Sequence, residues 1–311
     1  MNYRQLGNTG IRVSEVGFGA WQLGNKKDWG EMEDGQAIQL VHEAISQGCN
    51  FFDTAPNYGA GIGEELLGKA LLGKRDQVVI NTKFGHHPNN VQNFDVKQLR
   101  QSLESSLKRL QTDYVDSILL HNPPFEYLNG NSPHYEELEK LKAEGKIRAY
   151  GASVDTSRDL TELMKTTNSQ VVEVMYNIFH QEPASAFKLV KEKEAGLIIK
   201  VPLDSGWLTG KYTENSRFEG IRSRWTTEQI KQRATLLSKL GFLTEDGTSI
   251  VQAALRFILA RNEVSTVIPG AKNSKQLSEN LSATEKELPE EMLTQIQQLW
   301  ENEWKHLALP W

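Results

Sequence analysis

Polar residues stand at the carboxyl ends of short β-branched runs in this sequence, and their types suit proton transfer. Asn50-Phe51-Phe52-Asp53 ends in an acid, and Tyr58 follows shortly after. Val78 to Lys83 ends in a lysine, Tyr114 to His121 in a histidine, and Ile147 to Ser153 in a hydroxyl. A tyrosine hydroxyl is a reluctant acid, and a close ammonium makes its deprotonated form less costly. Lys83 can supply that charge, with Asp53 holding the lysine charged and oriented. His121 can donate a hydrogen bond to a substrate oxygen and fix its approach. Together these groups suit protonation of a carbonyl. None of them delivers hydride, so a reduction requires a nicotinamide cofactor.

Something must bring these strand ends together. Besides the four runs above, Val16 to Gly19, Gln170 to Met175, Leu197 to Val201 and Val264 to Ile268 have the same character, which makes eight candidate strands. Amphipathic stretches separate them. Leu99, Leu103, Leu107 and Leu110 recur at helical spacing, as do Val251, Ala254, Leu255 and Ile258. Asp95 suits a helix start, and Gly145 and Gly196 suit helix exits. The alternation predicts an α/β fold, a (β/α)8 TIM barrel, in which all such ends converge on one face. A doubly wound sheet shares the alternation and stays open as the competitor. Residues 1–15 read as a β-hairpin turning at Asn8-Thr9-Gly10, and 227–241 and 289–306 as two extra helices outside the repeat. No linker divides residues 1–311, so one domain is expected.

Composition narrows the function. A net charge of −5 argues against a coat for nucleic acid or for an anionic membrane. One cysteine, Cys49, excludes a disulfide framework and a four-cysteine zinc site. The N-terminus lacks the apolar core of a signal peptide and no stretch approaches a bilayer span, so a cytoplasmic protein is expected. Three further motifs lead elsewhere. Gly63 to Lys69 has phosphate-loop spacing, but Ala70 replaces the metal-binding hydroxyl and Glu64 and Glu65 would repel phosphate. Gly59, Gly61 and Gly63 miss the dinucleotide spacing, because Glu64 takes the third position. His86-His87 are adjacent with no carboxylate at ligand spacing, so no metal site is expected and they read as solvated loop histidines.

Across nearly its whole length the sequence resembles the aldo-keto reductases. Leu6-Gly7 with Val13 to Trp21 is similar to the family's opening, and Phe52-Asp53-Thr54-Ala55-Pro56-Asn57-Tyr58-Gly59 to its signature. Thr82-Lys83 and Leu119-Leu120-His121 match the other two tetrad positions. Gly151-Ala152-Ser153, Pro202-Leu203, Leu208-Thr209-Gly210-Lys211 and Ile268-Pro269-Gly270 to Glu279-Asn280 match its cofactor-binding segments.

The resemblance implies a barrel that binds NADPH or NADP+ without a Rossmann fold, with NADH possible. Tyr58 would be the general acid, tuned by Lys83 and Asp53, with His121 orienting the carbonyl. Ser153 would meet the carboxamide, Leu203 and Ser205 the pyrophosphate, and Gly270, Lys272, Gln276, Glu279 and Asn280 the adenosine end, with Pro202 and Lys211 also binding the cofactor. Gly19, Ala20 and Trp21 would border the cofactor, and Trp21, Tyr58 and His121 the substrate pocket. Val154, Glu173 and Lys200 depart from the usual Asn, Gln and aromatic residue. Glu173 and Lys200, near the ends of neighbouring strands, are expected to form an ion pair beside the nicotinamide.

The expected activity is NADP-dependent reduction of small-molecule aldehydes or ketones, or the reverse oxidation. Alternatives are a cofactor-holding regulatory subunit, as in the potassium-channel subunits of the family, and a Schiff-base aldolase using Lys83. Substrate choice would sit in loops 22–32, 86–94, 122–133 and 204–225 and in the Trp304 to Trp311 tail. Nothing in the sequence indicates the oligomeric state.

Overall fold

The computed structural model describes every residue except 89, 90, 246, 308 and 311. Parts of the 86–94 loop and of the 304–311 tail therefore lie outside the described residues. The chain opens with β1 (Tyr3–Gln5) and β2 (Arg12–Ser14), an antiparallel hairpin in which Arg4 faces Val13. Eight parallel strands follow among the described residues. They are β3 (Phe18–Gly19), β4 (Phe51–Asp53), β5 (Val79–Phe84), β6 (Val115–His121), β7 (Ile147–Val154), β8 (Val171–Met175), β9 (Gly196–Lys200) and β10 (Val264–Val267). Bridges Val16–Val267 and Gly19–Gly270 join β10 back to the β3 segment, so the sheet closes into a barrel. Closure decides against the doubly wound sheet, and every strand lies within two residues of its expected position.

Helices cover the outside. They are α1 (Lys26–Trp29), α2 (Asp34–Ser46), α3 (Ile62–Ala70), α4 (Val96–Leu110), α5 (Pro133–Ala143), α6 (Ser157–Thr166) and α7 (Phe187–Glu192). After β9 come α8 (Thr227–Ser238) and α9 (Ile250–Leu259), and after β10 come α10 (Ser274–Leu281) and α11 (Glu290–Leu299). The extra helices are α8 and α11, the latter continuing as a π-turn to Trp304. In α4 the leucines at 99, 103, 107 and 110 are all buried, and Asp95 caps the start by accepting from the Lys97 amide at 3.0 Å.

Apolar packing occupies two zones. One lies between sheet and helices. The other fills the barrel floor, where Leu6, Ile11 and Val13 of the hairpin meet Phe51, Val79, Ala149, Val171 and Ile198. Gly196 belongs to this floor and is not the helix exit the sequence suggested. It opens β9, and a Cβ there would come within 2.6 Å of the Leu6 side chain. The turn after α7 is made by Glu194 with φ 54°. Gly145 does leave its helix as expected, with φ 74° just past α5. With the floor plugged, the interior is free to become polar only towards the carboxyl ends of the strands.

Candidate active site

Side chains alternate along each strand, so residues two apart share a face. In β5 this sends Val79, Asn81 and Lys83 inward and Thr82 outward. Inside, Ser117 Oγ donates to Asn81 Oδ1 at 2.6 Å, and Asn81 Nδ2 donates to Asp53 Oδ2 at 2.7 Å. Lys83 Nζ donates to both Asp53 oxygens at 2.6 Å, to the Thr54 carbonyl at 3.2 Å and towards Tyr58 Oη at 3.4 Å. Outside, Thr82 Oγ1 donates to Glu64 at 2.6 Å, and Arg109 of α4 donates to the same carboxylate at 2.7 Å. Glu64 thus ties α3, which follows the Tyr58 turn, to β5 and α4. The Gly63–Lys69 stretch is helix, and Gly59 and Gly61 make the turn with φ of 56° and 98°.

Asp53, Tyr58, Lys83 and His121 therefore meet at the barrel mouth. Burial works against the Lys83 charge, but Asp53 and then Glu173 outweigh it and push the lysine above its usual value. Burial pushes the Tyr58 hydroxyl up, and Lys83 only partly offsets it. Lys83 thus favours the phenolate as expected, but burial outweighs it and the tyrosine is held firmly in its acid form. Burial, then the charge of Lys83, holds His121 well below 6.5, so its ring is neutral. Its Nδ1 is buried with no hydrogen-bond partner in the protein.

Aromatic rings wall the mouth. Trp21 lies 6.0 Å from Tyr58 between ring centroids, and Trp29 stands edge-on to Trp21 at 5.4 Å. His121 is edge-on to Tyr58 at 6.2 Å. His86 is stacked on His121 at 4.5 Å, with its Nε2 3.2 Å from Gln92. It is a half-buried wall of the site, and not the solvated loop histidine expected from sequence. Its position just past Gly85 at the end of β5 was the available signal. No cluster of three or more metal-ligating side chains occurs among the described residues.

The expected Glu173–Lys200 ion pair does not form. Glu173 Oε2 lies 3.4 Å from Lys83, while Lys200 pairs with Asp155 at 2.9 Å. The two meet only through Ser153 Oγ, which lies 3.0 Å from Glu173 Oε1 and 2.7 Å from Lys200 Nζ. Besides Ser153 Oγ, Lys200 donates to Asn122 Oδ1 at 2.7 Å. Asp155 and Asn122 went unnoticed in the sequence, since only the positive φ of Asn122 (48°) turns its side chain to this work. Val201, directly after Lys200, also has a left-handed φ of 52°, which is strained for a β-branched residue.

The other expected cofactor residues line the same rim. Gly19 and Gly270 close the barrel, and a Cβ on Gly270 would overlap the Gln22 amide at 2.1 Å. Ala20 begins the short turn that carries Trp21, and Pro202 and Leu203 lead from β9 into the Ser205 turn. Ser205 has φ 54°; Arg222 donates to its carbonyl at 2.9 Å and Arg224 to its hydroxyl at 3.2 Å. Lys211 is exposed. Lys272 Nζ donates to the Trp29 carbonyl, and Gln276 Oε1 accepts from the Lys272 amide at 2.9 Å. Asn280 donates to the Gly270 carbonyl at 3.2 Å, and Glu279 is half-buried on α10. Arg222 and Arg224 were not anticipated. Four cations and the capped start of α10, at Asn273, make a rim suited to the phosphates of a dinucleotide.

In the 304–311 tail, Trp304 packs on Phe179 at 5.7 Å and the Pro310 carbonyl accepts from buried Arg233 at 2.8 Å. No helix among the described residues is long and apolar enough to cross a membrane.

A closed parallel barrel with a tyrosine, lysine, aspartate and histidine converging at its mouth defines a class of barrel oxidoreductase. The chain belongs to the aldo/keto reductase family, whose model matches residues 15–301. It is 32% identical over 291 residues to the aldo-keto reductase YhdN of Bacillus subtilis, covering 89% of this chain and 87% of that one. It is 32% identical over 311 residues to L-galactose dehydrogenase of Arabidopsis thaliana, covering 96% and 94%. Among solved structures it superposes on the holo form of aldo-keto reductase AKR11C1 from Bacillus halodurans with TM-score 0.81. That match has 28% identity and covers 96% of both chains.

Proposed function

We propose that this protein is an NADP-dependent reductase of small aldehydes or ketones, able to run in reverse on an alcohol or sugar hydroxyl. The observation that carries the reading is the Tyr58 hydroxyl, 3.4 Å from a Lys83 that is itself locked to Asp53 at 2.6 Å. When bound, the nicotinamide supplies hydride. This chain's residues do the rest. Tyr58 gives its proton to the substrate oxygen, and the positive Lys83 stabilises the phenolate left behind. Neutral His121 donates a ring N–H to the same oxygen, while Trp21 and His86 bound the pocket.

The adenosine phosphate would meet Lys272 and the start of α10, and the pyrophosphate Ser205, Lys211, Arg222 and Arg224. An aldolase needs Lys83 neutral, and two carboxylates within 3.4 Å hold it charged. A purely regulatory role needs no positioned acid, and here the acid and its lysine are in place. The test is a panel of aldehydes, ketones and alcohols with NADPH and NADP+, followed by nicotinamide absorbance. Carbonyl-dependent loss of NADPH supports the reading, and no turnover across the panel removes it.

A further inference from the structure

Lys83 faces two carboxylates, Asp53 at 2.6 Å and Glu173 at 3.4 Å, and all three side chains are at most 3% exposed. One ammonium and two carboxylates leave a net charge of −1 in a dry interior, which is costly. The rim does not supply the missing cation, because Lys200 is matched by Asp155. Tyr58 is held in its neutral, protonated form, and His121 and His86 are kept neutral chiefly by burial. Uptake of one proton would remove the imbalance. The Asp53 oxygens accept from Lys83 and Asn81, whereas Glu173 Oε2 accepts no hydrogen bond and is open to a proton. Burial, then the charge of Glu173, pushes the Asp53 carboxyl up to about 7, and a proton shared by the pair relieves both.

The same carboxyl has a path to water. Ser153 Oγ lies 3.0 Å from Glu173 Oε1, Lys200 Nζ lies 2.7 Å from Ser153 Oγ, and Asp155 Oδ1 lies 2.9 Å from Lys200. Asp155 is 36% exposed, and Asn122 steadies it by donating to Oδ2 at 2.8 Å. In the other direction Lys83 leads to Tyr58.

We propose that Asp53 and Glu173 share one stored proton beside Lys83, and that Ser153, Lys200 and Asp155 refill it from solvent. The use of the store rests on the reductase reading above; its existence does not. Once Tyr58 Oη–H has broken towards the substrate oxygen and left the phenolate, a Lys83 N–H breaks and Oη–H re-forms. The Glu173 O–H then breaks to restore Lys83. The carboxylate takes a proton from Ser153 at Oε1 and turns to present it to Lys83, Ser153 takes one from Lys200, and Lys200 takes one from a solvent or buffer acid at Asp155. One proton enters per turnover and no electrons move. Glu173 touches no reacting atom and acts through Lys83.

Infrared spectra of the cofactor-free protein across pH test the store. The wild type shows a protonated, buried carboxyl near neutral pH, and Glu173→Gln, which keeps the shape, loses it. A wild type without that band, or a band that Glu173→Gln leaves in place, overturns the store. Rapid mixing with NADPH and an aldehyde tests the refilling. In Glu173→Gln and in the rim variant Asp155→Asn, later turnovers are about tenfold slower than the first, and added imidazole restores them. Later turnovers that keep pace with the first in both variants overturn the path. A wild type that oxidises no NADPH removes the reductase reading alone, and the infrared result still decides the store.

Discussion

Replacing Asp53 by Asn keeps the shape of the site and removes the nearer of the two carboxylates on Lys83. Two charged hydrogen bonds of 2.6 Å disappear from a residue that is 2% exposed. Removing the sole partner of a buried ion costs about 3–5 kcal/mol. Lys83 keeps Glu173 at 3.4 Å, so the loss falls nearer that of a charged hydrogen bond, about 2 kcal/mol. Glu173→Gln leaves Lys83 its closer partner and costs about 1 kcal/mol. Both changes together strand a buried ammonium and cost about 5 kcal/mol, roughly 2 beyond the sum of the singles.

Urea unfolding of the four proteins at neutral pH reads this coupling. The Asp53 carboxyl is raised from 3.8 to about 7, chiefly by burial and then by Glu173. Its share of stability is therefore full below 3.8 and lost as pH rises through 7, so the advantage of wild type over Asp53→Asn shrinks across that window. Single losses that simply add to within about half a kcal/mol would refute the shared role of the two carboxylates.

Three further outcomes are expected. Lys272→Ala weakens NADPH binding by about 1–2 kcal/mol and leaves NADH nearly untouched, and equal NADPH dissociation constants at low salt would remove Lys272 from the phosphate site. His86→Ala removes the ring stacked on His121 and raises KM for the carbonyl by about two- to tenfold, more than it lowers kcat; steady-state kinetics with an unchanged KM would refute it. Glu64→Ala strands Arg109 and Thr82 and lowers stability by about 3 kcal/mol in urea unfolding, and a loss under 1 would show that the buried carboxylate ties nothing.

The barrel was legible because its strands and helices carry their periods in the residues themselves. β-Branched runs placed each strand to within two residues, and the α4 leucines marked the buried face of that helix. The tetrad was legible for a related reason: polar residues at strand ends stand out against apolar runs. What escaped depended on side-chain reach and local turns. Glu173 and Lys200 sit on adjacent strands, yet Glu173 reaches Lys83 and Lys200 reaches Asp155, so adjacency alone gave the wrong pair. His86 looked like a loop residue because nothing in a dipeptide of histidines shows which ring stacks on His121. Gly196 looked like a helix exit because a glycine needed for close packing reads the same as one needed for a positive φ.

The role of Tyr58 is the centre of the account, and Tyr58→Phe tests it most directly. The ring stays between Trp21 and His121, and only the hydroxyl 3.4 Å from Lys83 is lost. With an aldehyde that the wild type reduces, nicotinamide absorbance should show turnover lower by about 10²-fold or more, while the NADPH dissociation constant from fluorescence shifts by less than about twofold. Near-normal aldehyde reduction by Tyr58→Phe would contradict the account.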